Sequence, residues 1–198
     1  MSNPLAPKFE IVPGSIADAA IQAGGELTQP PIMVIMIDIS SSMNETDARY
    51  KGKVVSRYEA AKQQLIELQA RHPGQIAIIA FGDEATACPG GVPPLPSGWT
   101  QLHLALAMAR EADTGQMKFL IISDGLPQRQ DAVEAEAELF TVPIDVILVG
   151  KDTNGEQFLG DFAKKTGGTF YTDTSTMLLT TTISKMLTVG PDADVIVT

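Results

Sequence analysis

The amino-acid sequence predicts an α/β fold built on an open, mostly parallel β-sheet, and two observations support this prediction. Four short runs are apolar at nearly every position and are spaced widely along the chain, at residues 32–37, 76–81, 119–122 and 146–149. Amphipathic stretches separate these runs. Continuously apolar strands are typical of sheets covered by helices on both faces, and strand–helix alternation favours parallel strands joined by right-handed crossovers.

The stretches between the apolar runs have the residue spacing of helices. In the first stretch the apolar residues recur at helical intervals, at Tyr58, Ala61, Leu65 and Leu68, and His72-Pro73-Gly74 ends the helix. Further helices are predicted over residues 101–112, 128–140, 156–166 and 174–187. Two weaker strands are predicted at the sheet edges, over residues 85–88 and 169–171. Because the first of them follows Phe81 too closely for a crossover, it is expected to pair antiparallel in a hairpin.

Length and composition favour one domain with a sizeable core. The chain has 198 residues, 44% of them hydrophobic, and residues 30–188 form the predicted domain between an N-terminal arm (1–29) and a C-terminal tail (189–198). Fourteen basic and twenty-four acidic residues give a net charge of −10, which argues against binding to nucleic acids or to anionic membranes. The single cysteine, Cys88, excludes an internal disulfide and a zinc site built from cysteines.

The N-terminal segment and the apolar runs indicate where the protein resides. Residues 1–10 are polar and have neither the basic start nor the hydrophobic stretch of a signal peptide. The longest apolar runs are far shorter than a membrane-spanning helix. The sequence therefore predicts a soluble, cytoplasmic protein.

Oxygen-bearing side chains cluster where a ligand site is expected. In open parallel sheets, ligands bind beyond the carboxyl ends of the strands, where the strand order reverses. Asp38, Ser40 and Ser42 follow the first apolar run, Asp124 follows the third, and Thr100 precedes a predicted helix. Carboxylate and hydroxyl oxygens suit a hard divalent cation: Mg²⁺, or Mn²⁺ or Ca²⁺. If the hydroxyls bind directly and an aspartate acts through water, the cation keeps positive charge and can bind a carboxylate from outside.

The three segments together resemble a known motif. Asp-x-Ser-x-Ser at residues 38–42, Thr100 and the Asp124-Gly125 pair are similar to the metal-ion-dependent adhesion site of von Willebrand factor type A (vWA) domains, and the resemblance extends over residues 30–188. It implies a three-layer, Rossmann-like fold with a six-stranded sheet of order 3-2-1-4-5-6, in which strand 3 is antiparallel. It also implies a partner protein whose Asp or Glu completes the shell of a metal held by Asp38, Ser40, Ser42, Thr100 and Asp124.

The same resemblance suggests which neighbouring residues a partner contacts. Trp99, Met43 and Gly125 surround the motif and are expected at the partner surface. The alternative for Trp99 is that it covers the apolar base of its own loop. The segments 43–47 and 57–62 resemble bacterial members of the family, some of which work beside AAA+ ATPases of the MoxR type. The chain departs from the family at the proline-rich stretch 89–98, where a helix is often found, and at Trp99, where a second glycine commonly precedes the threonine.

Two other functions stay open from the sequence. The first is a metal-dependent phosphoryl-transfer enzyme with Asp38 as nucleophile, although Ser40 stands where haloacid-dehalogenase-type phosphatases need a second aspartate. The second is a structural domain with a vestigial site, in which residues 40–42 only cap a turn. The sequence contains no Gly-rich phosphate loop, and its two histidines support no Ser–His pairing. It therefore predicts a binding module without catalytic activity.

Overall fold

The computed structural model describes residues 32–150 and 152–173, together with Ile183. Within this part of the chain, strands and α-helices follow one another as β1 (Met33–Asp38), β2 (Ala48–Tyr50), β3 (Lys53–Val55), α1 (Arg57–Arg71), β4 (Ile76–Phe81), β5 (Ala85–Ala87), α2 (Leu102–Arg110), β6 (Lys118–Ser123), α3 (Gln130–Ala137), β7 (Ile144–Val149), α4 (Thr153–Thr166) and β8 (Phe170–Asp173). A single turn of 3-10 helix, Ser41–Asn44, follows β1.

Six of these strands form one sheet in the order β5-β4-β1-β6-β7-β8, and the β2–β3 hairpin forms a second, small sheet. In the large sheet β5 runs antiparallel to β4, and every other neighbouring pair is parallel. When the hairpin is left aside, this is the order 3-2-1-4-5-6 with strand 3 antiparallel. The predicted fold class is confirmed.

The strand order reverses between β1 and β6, and this reversal brings the carboxyl ends of two neighbouring strands together. The chain leaves β1 towards β4 on one side and later returns to β6 on the other. Ile37 of β1 is paired with Ile122 of β6, so Asp38 and Ser123 end their strands side by side. A reversal point of this kind is where open α/β sheets form ligand crevices.

Both faces of the large sheet are buried, which explains why its strands are continuously apolar. On one face Val34 and Met36 of β1 pack in a cluster with side chains of α2, α3 and α4. On the other face Ile35 and Ile37 pack with side chains of α1 and with Ile183. Because successive side chains of a strand point to opposite faces, a strand between two helical layers needs an apolar residue at each position.

The helices form where the sequence predicts them. α1 begins after Ser56, whose hydroxyl accepts a hydrogen bond from the backbone N–H of Glu59, and its four predicted apolar positions are all buried. The ends of α2, α3 and α4 lie within three residues of the predicted ends. None of the described helices is both long enough and apolar enough to cross a membrane.

Some sequence predictions fall on residues that the structure does not describe. The predicted helix over 174–187 lies outside the described residues except for Ile183, which is buried. The N-terminal arm (1–29) and the C-terminal tail (189–198) also lie outside them.

The β2–β3 hairpin is a feature that the sequence analysis missed. Its turn consists of Lys51 and Gly52, which both have positive φ values of 48° and 79°. The hairpin is fastened to α1 by the Tyr50 hydroxyl, which donates a hydrogen bond of 2.6 Å to the Glu67 carboxylate. Strands of three residues each are too short to show the alternation that identifies a strand in a sequence, so this element carries no periodic signal.

Candidate functional site

A cavity of about 770 Å³ lies at the carboxyl ends of β1 and β6, where the strand order reverses. Four of the five predicted metal ligands line it: Ser40, Ser42, Thr100 and Asp124. The fifth, Asp38, is fully buried as the last residue of β1 and does not belong to the lining. The fold therefore brings together side chains that are up to 84 residues apart in the sequence.

Asp38 lies beneath the cavity, and both of its carboxylate oxygens already accept hydrogen bonds. Oδ1 accepts from the backbone N–H of Ser40 at 2.7 Å, and Oδ2 accepts from the hydroxyl of Ser123 at 2.6 Å. Burial raises the pKa of Asp38 to about 6, and the negative charge of Asp124 adds to this rise, while the two hydrogen-bond donors oppose it. Asp38 is thus a buried acid that fixes the loop above it through neutral hydrogen-bond donors, Ser40 and Ser123.

The loop after β1, residues 39–44, is called the serine loop, and two of its hydroxyl groups form a continuous network with Asp124. The Oγ atoms of Ser40 and Ser42 are 3.0 Å apart, and the Ser42 hydroxyl donates to Asp124 Oδ1 at 2.8 Å. Asp124 is itself buried. Burial raises its pKa, and the hydrogen bonds from Arg57 and Ser42 counteract that rise. Three oxygen-bearing side chains are therefore linked at hydrogen-bond distance along the cavity wall.

Arg57 is a residue of the site that the sequence analysis did not assign. Its guanidinium donates from Nη1 to Asp124 Oδ2 at 2.8 Å and from Nη2 to Glu45 Oε2 at 2.7 Å. It also binds Asp47 through two hydrogen bonds, of 2.8 Å from Nε and 2.6 Å from Nη2. Only 6% of the Arg57 side chain is exposed. The hydrogen bonds to Asp47 are the largest of the effects that raise the pKa of Arg57, so this side chain is a permanent cation.

A local signal for Arg57 exists in the sequence. Arg57 is the first residue of α1, and a positive charge at a helix N-terminus opposes the helix dipole. A residue that is unfavourable for its own helix indicates a partner elsewhere in the fold. Space for the guanidinium comes from Gly150, which has a φ of 81° and at which any side chain would collide with Arg57.

The loop that carries Thr100 is fixed by backbone hydrogen bonds to both neighbouring loops. The carbonyl of Gly98 accepts from the N–H and from the hydroxyl of Ser41, each at 3.1 Å. The carbonyl of Thr100 accepts from the N–H of Gln128, also at 3.1 Å. These bonds join the loops after β1, β5 and β6 around one cavity, and Thr100 is buried within it.

The three residues predicted at the partner surface have different environments. Trp99 is 64% exposed and lines the cavity, and Gly125 lines it as well. Met43, in contrast, is fully buried in the cluster that contains Ile35 and Ile37. The prediction that Met43 contacts a partner is wrong, because the 3-10 turn after β1 directs this side chain into the core.

The oxygen ligands available in the cavity can be compared with the coordination geometry of a hard cation. Among the described residues, no group of three or more His, Cys, Asp or Glu side chains is placed to hold a metal ion, so any site here depends on hydroxyl oxygens. Adjacent ligands of an octahedral Mg²⁺ with bonds of 2.0–2.1 Å lie about 2.9 Å apart. The Oγ atoms of Ser40 and Ser42, which are 3.0 Å apart, match this spacing. The residues present therefore fit such a cation.

Comparisons with known proteins bear on the fold. No protein-family model and no curated protein matches the chain. Among solved structures, the chain is similar to the D319A mutant of the PilB minor pilin from Streptococcus sanguinis, with 14% sequence identity and a TM-score of 0.54 over 80% of this chain. It spans 61% of the length of that pilin chain. This likeness shows the fold.

Two further solved structures are similar to a lesser degree. The SpRpn10 VWA domain is 17% identical, with a TM-score of 0.49, over 86% of this chain and 100% of that domain. The human COPII-coat protein Sec24c is 12% identical, with a TM-score of 0.46, over 75% of this chain and 30% of that one.

Proposed function

We propose that this chain is a protein-interaction module that depends on a divalent cation, most naturally Mg²⁺. The observation that carries the proposal is the cavity at the reversal point of the sheet, where the Ser40 and Ser42 hydroxyls lie 3.0 Å apart and Ser42 is hydrogen-bonded to Asp124. Thr100 lines the same cavity, and the motif formed by these residues resembles the adhesion site of vWA domains. Each of these residues follows a strand or precedes a helix at the reversal point of the sheet.

The charges in the cavity explain how such an ion would recognise a partner. In the proposed site the neutral hydroxyls of Ser40, Ser42 and Thr100 would bind the ion directly. Asp38 and Asp124 would not bind it directly, but would hold the Ser40 backbone N–H and the Ser42 hydroxyl in place through hydrogen bonds. A cation held by these hydroxyls would keep uncompensated positive charge, and this charge could attract an Asp or Glu of a partner. Without the ion, such a carboxylate would meet the negative charges of Asp38 and Asp124 and be repelled.

The phosphoryl-transfer alternative has weaker support. A nucleophilic Asp38 would need a free carboxylate oxygen facing the cavity, but both of its oxygens accept hydrogen bonds and the residue lies beneath the lining. The hydroxyls above it would be used by the cation. We therefore propose a module without hydrolytic activity.

The partner class follows from the resemblance to bacterial vWA domains. We propose an acidic side chain on a partner protein, and a MoxR-type AAA+ ATPase as the first candidate. Trp99 supplies exposed apolar area next to the proposed contact, as tryptophan often does at protein interfaces.

Calorimetric titration with Mg²⁺ and Mn²⁺ tests the metal site. Ser42→Ala should weaken binding at least tenfold, because it removes a ligand and the hydrogen bond to Asp124. Thr86→Ala is the control, since Thr86 is an exposed hydroxyl residue of the edge strand β5 and does not line the cavity, and its affinity should stay within about threefold of wild type. No cation binding by the wild-type chain would indicate a vestigial site.

Retention of a purified MoxR-type ATPase on the immobilised chain tests the partner. Binding should disappear with a chelator, and Trp99→Ala should reduce it while leaving the Mn²⁺ affinity near wild type. Retention that survives both the chelator and Ser42→Ala would place the interface elsewhere.

A further inference from the structure

We infer that Arg57 is a positioning residue that holds the chain's own carboxylates away from the cation, so that the open coordination position is left for a carboxylate of a partner. This inference rests on the proposed function, because it concerns the same site. It is motivated by the four hydrogen bonds that one buried guanidinium makes to three different carboxylates.

The cavity contains acids that could in principle ligate a cation themselves. Three carboxylates line it: Glu45, Asp124 and Asp152. Arg57 binds the first two. Asp152 caps helix α4, where its Oδ1 accepts from the backbone N–H of Asn154. Each carboxylate in the lining of the described cavity therefore has a partner that directs it.

Competition from the chain's own acids would matter for function. A carboxylate is a stronger ligand than a neutral hydroxyl for a hard cation. A carboxylate on the same loop also acts at an effective concentration in the millimolar range or above, so it would displace a partner's carboxylate without any cost of association. The Glu45 side chain is 62% exposed and follows the serine loop directly, which makes it the acid most able to reach an ion.

The geometry of Arg57 suits this role better than a simple positive charge would. Its planar group binds Asp47 through two nitrogens and keeps a third for Asp124, which leaves Asp124 Oδ1 directed to the Ser42 hydroxyl. Asp47 and Glu45, whose side chains are 41% and 62% exposed, are thereby tied to the guanidinium. A lysine has no planar fork and could not hold three carboxylates in this arrangement.

Mn²⁺ provides the test, because its affinity and the number of water molecules that it retains can both be measured, the latter by water-proton relaxation. In Arg57→Gln we expect Mn²⁺ to bind at least tenfold more tightly and to lose at least one bound water relative to wild type, as Glu45 or Asp124 enters the shell. Acetate, used as a probe for the partner's carboxylate, should then no longer displace water from the ion. Adding Glu45→Gln to Arg57→Gln should restore at least part of the water count.

A second variant keeps the inference testable if Arg57→Gln does not fold. Glu45→Gln changes an exposed side chain, and it should alter the Mn²⁺ affinity by less than tenfold and leave the water count unchanged, because Arg57 already holds this acid off the ion. Glu111→Gln, at an exposed glutamate after α2, controls for the general loss of one negative charge.

The outcomes separate this inference from the proposed function. A tenfold loss of affinity with a gain of bound water in Glu45→Gln would make Glu45 a ligand and overturn the inference. An unchanged affinity and water count in folded Arg57→Gln would overturn it as well. Both of these results require that the wild-type chain binds Mn²⁺. If the wild-type chain does not bind it, the proposed function fails first and the inference fails with it.

Discussion

At the scale of single residues, the two buried acids of the site differ in whether a positive charge lies next to them. Asp124 has a guanidinium within hydrogen-bond distance, whereas Asp38 accepts its hydrogen bonds from two neutral donors, Ser40 and Ser123. Burial therefore raises the pKa of Asp38 to about 6. A group with this environment destabilises the metal-free fold when it is ionised, and a cation above it would relieve that cost.

The replacement Asp38→Asn tests this account by its pH dependence. The free carboxyl has a pKa of 3.8 and the folded one about 6, so the native state binds more protons between these values. The free energy of unfolding of the metal-free wild type should therefore fall as pH rises from about 4 to 6, by about 2–3 kcal/mol from this residue alone. Asn can accept from Ser40 and donate to Ser123, so the variant should lack this component of the fall.

Urea unfolding in the presence of a chelator, at pH 4, 5, 6 and 7, provides the measurement. The variant should be the more stable protein at pH 7, with the difference disappearing towards pH 4. A difference in unfolding free energy that is the same at all four pH values would contradict the assignment.

At the scale of elements, the loop after β5 decides where Thr100 and Trp99 lie. Residues 89–101 contain neither helix nor strand, yet they are fastened to α1 by the Tyr58 hydroxyl, which donates to the Pro93 carbonyl at 2.7 Å, and by Gln69, which donates to the Gly91 carbonyl at 2.8 Å. The proline-rich stretch, which forms no helix of its own, is thus held by side-chain contacts from α1. Near the end of this stretch, the N–H of Trp99 donates a hydrogen bond of 2.9 Å to the Asp83 carboxylate.

Gly98→Ala should disturb this loop and the site together. Gly98 has a φ of 75°, and a Cβ there would collide with the Asp83 carboxylate that holds Trp99. We expect a loss of stability of about 1–3 kcal/mol and weaker Mg²⁺ binding, because Thr100 shifts with the loop. Gly90→Ala is the control, since its Cβ would meet no atom within 4 Å, and it should change neither property. Thermal unfolding and calorimetry of both variants measure the effects, and equal behaviour of the two would refute the role of this turn.

At the scale of the whole molecule, the acidic balance connects cation binding to stability. The chain carries a net charge of −10, and two of its acids are buried at the reversal point of the sheet. A ligand that binds only the folded state stabilises it in proportion to the logarithm of its concentration over Kd.

Mg²⁺ should therefore raise the melting temperature of the protein. At one hundred times Kd the stabilisation should be about 2.7 kcal/mol, and NaCl of equal ionic strength should give a smaller rise that reflects only screening. Ser42→Ala, with a Kd raised at least tenfold, should be stabilised by Mg²⁺ by at most about 1.4 kcal/mol at the same concentration, about half of the wild-type effect. If wild type responds alike to the two salts over a wide concentration range, the protein has no specific cation site.

The parts of this fold that could be predicted from the sequence are those with a periodic or edge-forming signal. The parallel sheet, the helix positions and the grouping of Ser40, Ser42, Thr100 and Asp124 around one cavity could be predicted, because two-sided burial leaves continuous apolar runs and parallel strands end at a common edge. The strand order was implied by the resemblance to vWA domains and not by the apolar runs. The β2–β3 hairpin could not be predicted, because three-residue strands carry no period.

The tertiary structure alone decided how the side chains at that edge are paired. Arg57 and Asp124 are 67 residues apart, and Ser123 and Asp38 are 85 apart. Hydrophobic periodicity reports which face of an element is buried, but it contains no information on which polar atoms meet across the fold. Three features therefore depend on tertiary packing alone: the inward direction of Met43, the position of Asp38 beneath the cavity, and the binding of three carboxylates by one guanidinium. Each requires side chains from separate elements to meet, and the packing of the elements on the sheet determines which of them do.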